Sequence, residues 1–159
     1  MGYYIRILAL KTDTSPLADL RSHLPAGQEL EVEVGEATEW SQLVLRHQGG
    51  SKIALIERNP VIPGKLGQAE LNEFIQDTPG EKPESAATWL AQFLPRVKVI
   101  YAFQLLSGTE TSNGWDGVDA LRAMIWKKMG GIVRTDQEGI SNEAGHQILW
   151  QFTSDHDAQ

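Results

Sequence analysis

YYIRILALKTDTSPLADLRSHL, running from Tyr3 to Leu24, decides the fold. Tyr3 to Leu10 is apolar on both faces apart from Arg6, which predicts a strand covered on two sides. A polar corner follows, and then Leu17, Leu20 and Leu24 recur on one face of a short helix. Ser15 is placed to cap that helix, Pro16 suits its first turn, and Pro25 and Gly27 stop it. The same order of elements returns in VIYAFQLLSGTETSNGWDGVDALRAMI, Val99 to Ile125. The two stretches share almost no residue identity, so a duplication rests on the order of elements alone.

Between them, QELEVEVGE alternates, with Leu30, Val32 and Val34 on one side and Glu29, Glu31 and Glu33 on the other, a strand with one wet face. EWSQLVLRHQGGSKIALIERN reads as two strands turned at Gly49-Gly50, a pair that tolerates the positive φ of a tight hairpin. NPVIPGKLG connects them to two helical segments, about 68–76 and 83–94, the second opened by Pro83 and ended by Pro95. After the second long strand, 97–106, the pattern predicts a helix from about Val118 to Met129, closed by Gly130-Gly131. GIVRTDQEG and HQILWQF then form a hairpin around ISNEAG.

This predicts an α+β fold: one domain over residues 1–154, with a mostly antiparallel sheet and helices packed on one face. The repeated order divides it into two pseudo-repeated β-α-β-β modules, 1–60 and 97–154, joined by a helical segment 61–96. Residues 155–159 read as a frayed acidic tail. A groove between two such modules is the default place for a ligand.

Composition removes whole classes of chemistry. The chain has 159 residues and no cysteine, so disulfides, thiolate nucleophiles and cysteine-held metals are excluded. Fourteen basic against 21 acidic residues give a net charge of −7, which repels a nucleic-acid backbone and suits a basic protein partner. The opening residues lack the basic stretch and long apolar run of a signal peptide, and Arg6 stands where a myristoylation signal needs Ser or Thr. No apolar run approaches the ~20 residues that span a bilayer. The expectation is a soluble, cytoplasmic protein without cofactors, binding neither membrane nor nucleic acid.

SGTETSNGWDG, Ser107 to Gly117, is the loop most suggestive of chemistry. It lacks the lysine and spacing of a phosphate-binding P-loop, and Glu110 and Asp116 oppose an anion. Its counterpart KTDTSP makes the same strand-to-helix turn without glycine, so Ser112, Asn113 or Asp116 would serve as a helix cap. Trp115 is the residue a cap does not need. Along the following helix, Val118, Leu121, Ile125 and Met129 form the core stripe. Trp115, Asp119, Arg122 and Trp126 form a second stripe beside it. Tryptophan and arginine on one border are typical of interface hot spots, and these four are the candidate partner-binding residues. The alternative is that both tryptophans tuck into the core.

Other chemistry is sparse. His23, His47, His146 and His156 are scattered and no metal-binding spacing occurs. Asp136, Glu138 and Glu143 gather near His146 in the last hairpin, which makes Asp136, Glu138 and His146 weak catalytic candidates. No nucleophile elbow is present. Three functions follow. The first is a non-enzymatic binding protein that recognises another, basic, protein through the tryptophan border, as an adaptor, inhibitor or immunity-type neutraliser. The second is a sensor holding a small apolar ligand in a cleft lined by Tyr101, Phe103 and Trp150. The third is an enzyme without a recognisable motif.

Overall fold

The computed structural model describes residues 3–111, 113–136, 138–141 and 147–149. Eight strands and four α-helices follow in the order β1 (Tyr3–Ala9), α1 (Leu17–Arg21), β2 (Gln28–Gly35), β3 (Trp40–His47), β4 (Lys52–Pro60), α2 (Leu66–Asp77), α3 (Glu84–Phe93), β5 (Val99–Leu105), α4 (Gly114–Met129), β6 (Ile132–Thr135), β7 (Gly139–Ser141) and β8 (Gln147–Leu149). The strands form one sheet in the order β2-β3-β4-β5-β1-β6-β7-β8. Every neighbouring pair is antiparallel. The α+β class and the antiparallel sheet are as the sequence implies.

β1 and β5 lie side by side at the centre, in register from Tyr3 opposite Leu105 to Ala9 opposite Val99. Their alternate residues feed two separate cores. Ile5, Ile7 and Ala9 join Val99, Tyr101 and Phe103 beneath Leu17 and Leu20 of α1 and Val118, Leu121, Ile125 and Met129 of α4. Leu8 and Ile100 face the other way, with Leu71 of α2 and Leu90 and Phe93 of α3. The helices of the two strand–helix units therefore share one face, as expected, but the connecting helices cover the second. The two-sided apolar character of β1 and β5 has its cause here, since each face of these strands has its own helical cover.

The sheet order does not carry the symmetry of a duplicated module. A two-fold relating β1 to β5 would place β2 beside β5, or β8 beside β1. Instead β4 flanks β5 and β6 flanks β1.

Three local departures have local causes. A bulge between Val32 and Val34 sets two residues of β2 against one of β3, and it turns Val34 out to 52 % exposure. The stretch GIVRTDQEG is not one strand: it breaks at Asp136–Glu138 into β6 and β7, with Gly139 at φ 103° re-entering the sheet. α1 and α4 also start without a side-chain bond from their N-cap residues, and Ser112 lies outside the described residues. α1 starts after Pro16, and Ser15 is buried, its carbonyl accepting the Trp40 indole N–H at 2.7 Å. α4 starts four residues earlier than its core stripe suggests, after Asn113, whose side chain makes no capping bond.

Candidate functional site

The loop between β5 and α4 is a packed corner. Each of its central glycines lies against backbone or a buried side chain. A Cβ on Gly108 would stand 2.5 Å from Lys52 O, and one on Gly114 would stand 2.2 Å from Gly108 O. Gly117 faces the Gln28 carboxamide, with 1.8 Å between a built Cβ and Oε1. The polar groups are also consumed locally. His47 Nε2 donates to Gly108 O at 2.8 Å, Thr111 Oγ1 reaches the same carbonyl at 3.2 Å, and Gln28 Nε2 donates to Asn113 O at 2.7 Å. The glycines are thus required by close approach, and the loop cradles its own scaffold.

What this corner achieves is to hold Trp115 outward. Trp115 lies in the first turn of α4 and is 44 % exposed, although its neighbours Gly114, Gly117 and Val118 are buried. Beside it opens a cleft of about 490 Å³ at the end of the central strand pair. Leu105 of β5 and Leu106 form its floor, and Tyr3 of β1, directly opposite Leu105 in the sheet, stands beside them. Glu110 and Glu138 line its sides, and among the described residues no Lys or Arg does. The Tyr3 hydroxyl donates to the Glu138 carboxylate.

The other three residues of the predicted border are used differently. Asp119 and Arg122 pair with each other at 3.2 Å on the exposed side of α4. Trp126 is half-buried against the first core, and its indole N–H donates to Gly131 O at 2.8 Å. It lies about 16 Å along the helix from Trp115 at the usual rise per residue. The two tryptophans share a helix face without sharing a site.

The candidate catalytic group is not assembled among the described residues, and His146 lies outside them. Asp136 and Glu138 go to opposite sides of the sheet. Asp136 accepts the Tyr4 amide at 3.0 Å and Arg6 Nη1 at 3.1 Å, with Arg134 Nη1 at 3.5 Å. Glu70 of α2 completes this cluster, 3.4 Å from Arg6 Nε. The Phe74 ring lies 4.4 Å from the Arg134 guanidinium and 5.6 Å from that of Arg6. Burial pushes the Glu70 carboxyl above its ordinary range, and the opposing pull of Arg6 and Arg134 does not cancel this. Two arginines paired across neighbouring strands with two carboxylates between them form a structural charge network. Asp136 is thereby engaged by two cations, so an acid–base role is not what this arrangement offers.

The expected ligand cleft is likewise not where the sequence suggests. Tyr101 and Phe103 are fully buried in the first core, with the Tyr101 hydroxyl on Asp13 O at 3.1 Å; Trp150 lies outside the described residues. Two other hollows differ in kind. The one beneath Phe74 and Leu90 measures about 20 Å³, room for a single water. An open trough of about 630 Å³ runs along α4 past Ala123 and Met124, edged by Lys127 and Lys128. No group of three histidine or carboxylate side chains could hold a metal ion among the described residues. No described helix is long and apolar enough to cross a membrane.

The sequence marks Trp115 as a candidate and does not mark the residues beside it. Tyr3 and Leu105 read as ordinary strand residues, and only their pairing at the end of the sheet brings them into one cleft. The doublet Leu105-Leu106 was the available signal, because alternation cannot bury both. No family model, curated protein or solved structure matches this chain.

Proposed function

We propose that this is a non-enzymatic binding protein that recognises another protein with a basic surface, and that Trp115 is its principal anchor. The observation that carries the reading is the 44 % exposure of Trp115 beside a cleft walled by carboxylates. A tryptophan left in water on the first turn of a well-packed helix forfeits hydrophobic stabilisation that burial would supply, which a partner can recover. The net charge of −7 favours encounter with a basic surface and raises its rate. The glutamates of β2, at the sheet edge, extend the same sign of charge away from the cleft.

Native mass spectrometry of the protein captured from the lysate of its own cells tests this. The folded Trp115→Ala variant and a Met124→Ala variant on the α4 trough are run alongside. The reading predicts a basic protein partner retained by the wild type and Met124→Ala and lost from Trp115→Ala. A partner retained by Trp115→Ala, or a bound small molecule in place of a protein, contradicts it.

A further inference from the structure

The cleft beside Trp115 has a chemistry more specific than a general acidic surface. Its floor is apolar, from Leu105 and Leu106, and two of its walls are aromatic, from Trp115 and Tyr3. Glu110 and Glu138 supply carboxylates on either side, and none of its lining residues among the described ones is cationic. The Tyr3 hydroxyl donates to Glu138, so the tyrosine wall and one of the carboxylates lie side by side. Asp116, next to Trp115 and exposed, adds a third negative charge in the same turn.

Each element favours one kind of occupant. A side chain with an apolar stem and a positive head places methylenes on the leucines and its charge against an indole face and carboxylates. An anionic or purely apolar side chain loses the second half of that match. At about 490 Å³ the cleft is within the ~300–1,000 Å³ range of sites that enclose a small ligand, and so suits one anchoring side chain. The α4 trough makes the contrast. It is larger, but its lysines would repel the same head group.

Resting on the binding reading above, we infer that this cleft is a recognition pocket for a single arginine or lysine side chain of a basic protein segment, stacked on Trp115 and paired with Glu110. Arginine is the better fit, because its planar, weakly hydrated guanidinium stacks on aromatic faces.

The test is a two-dimensional NMR titration of the full chain with N-acetyl-arginine-methylamide, with N-acetyl-citrulline-methylamide as the uncharged isostere. The indole N–H signals are assigned by comparison with Trp115→Phe. The inference predicts shifts at the Trp115 indole and the Leu105 and Leu106 amides with the arginine probe. The citrulline probe should shift them at least about 3-fold less. Trp115→Ala should weaken binding about 5-fold or more, as the loss of a cation–π contact implies. Glu110→Gln should weaken it about 2- to 5-fold, and Glu33→Gln on β2 should leave it unchanged. Equal shifts with both probes, shifts centred on α4, or none at Trp115 overturn the inference. A protein partner lost on Trp115→Ala in the capture experiment, together with a silent arginine titration, would leave the binding reading standing and remove this one.

Discussion

Gly114→Ala probes the corner on which the site depends. The new Cβ would meet Gly108 O at 2.2 Å and Thr109 Cα at 2.8 Å, both backbone atoms that cannot turn aside as a side chain would. Either the loop lifts from the helix start or the first turn of α4 moves out. Overpacking of this kind costs about 1–3 kcal/mol. The carbonyl that must yield, Gly108 O, also accepts from His47 Nε2 at 2.8 Å and Thr111 Oγ1 at 3.2 Å, and each bond lost adds about 1 kcal/mol. Replacing glycine by alanine in a helix returns at most about 1 kcal/mol. The net loss is about 2–3 kcal/mol, a fall in Tm of roughly 5–10 °C for a domain of this size. Urea and thermal unfolding followed by circular dichroism measure it. Gly80→Ala, where an added Cβ meets nothing within 4 Å, serves as the control and should stay within about 0.5 kcal/mol of the wild type. Equal stability of Gly114→Ala and the wild type would refute the packed-corner account and return the loop to the status of an open ligand-binding turn.

Asp136→Ala leaves Arg6 and Arg134 facing each other across neighbouring strands, and should cost about 2–3 kcal/mol in urea unfolding, against less than about 1 kcal/mol for Glu138→Ala. Burial raises the Glu70 carboxyl above 4.5, so the folded state binds its proton more tightly than the unfolded state. The wild type should therefore lose stability relative to Glu70→Gln as pH rises from 4.5 through the raised folded-state value; a gap that is flat or widens in the wild type's favour contradicts this. Trp115→Ala should cost under about 1 kcal/mol of stability, whereas Trp126→Ala, with its packing and its bond to Gly131 O, should cost about 2–4 kcal/mol. The opposite ranking would exchange the roles of the two tryptophans.

Much of the fold was legible in the sequence because its elements obey simple periodicities. The double-faced strands β1 and β5, the Gly49-Gly50 hairpin and the core stripe of α4 all follow from spacing alone. What spacing does not specify is which face a helix returns to. α2 and α3 carry apolar stripes as α1 and α4 do, and only the even-numbered apolar residues of β1 and β5 hint that a second face needs cover. Sheet order is likewise invisible locally, so equal element orders suggested a symmetry that the strand neighbours lack. Val34 left its face because one extra residue entered β2, and Asp136 parted from Glu138 because β6 ends at Thr135 and β7 begins only at Gly139. The candidate site was legible only in part. Trp115 stood out because a helix cap does not need it, while the residues beside it come from positions 3, 105, 110 and 138, which only tertiary structure brings together.

The most direct test of the central claim places a photoreactive benzophenone amino acid at position 115, and in a second protein at position 124 on the α4 trough. Irradiation in native lysate is followed by mapping of the cross-linked peptides. The account predicts adducts at position 115 to a basic protein, at a peptide with arginine or lysine beside the attachment point, and none of that protein at position 124. Adducts of the same protein at position 124 alone, or adducts at position 115 to peptides without a cationic residue, would contradict it.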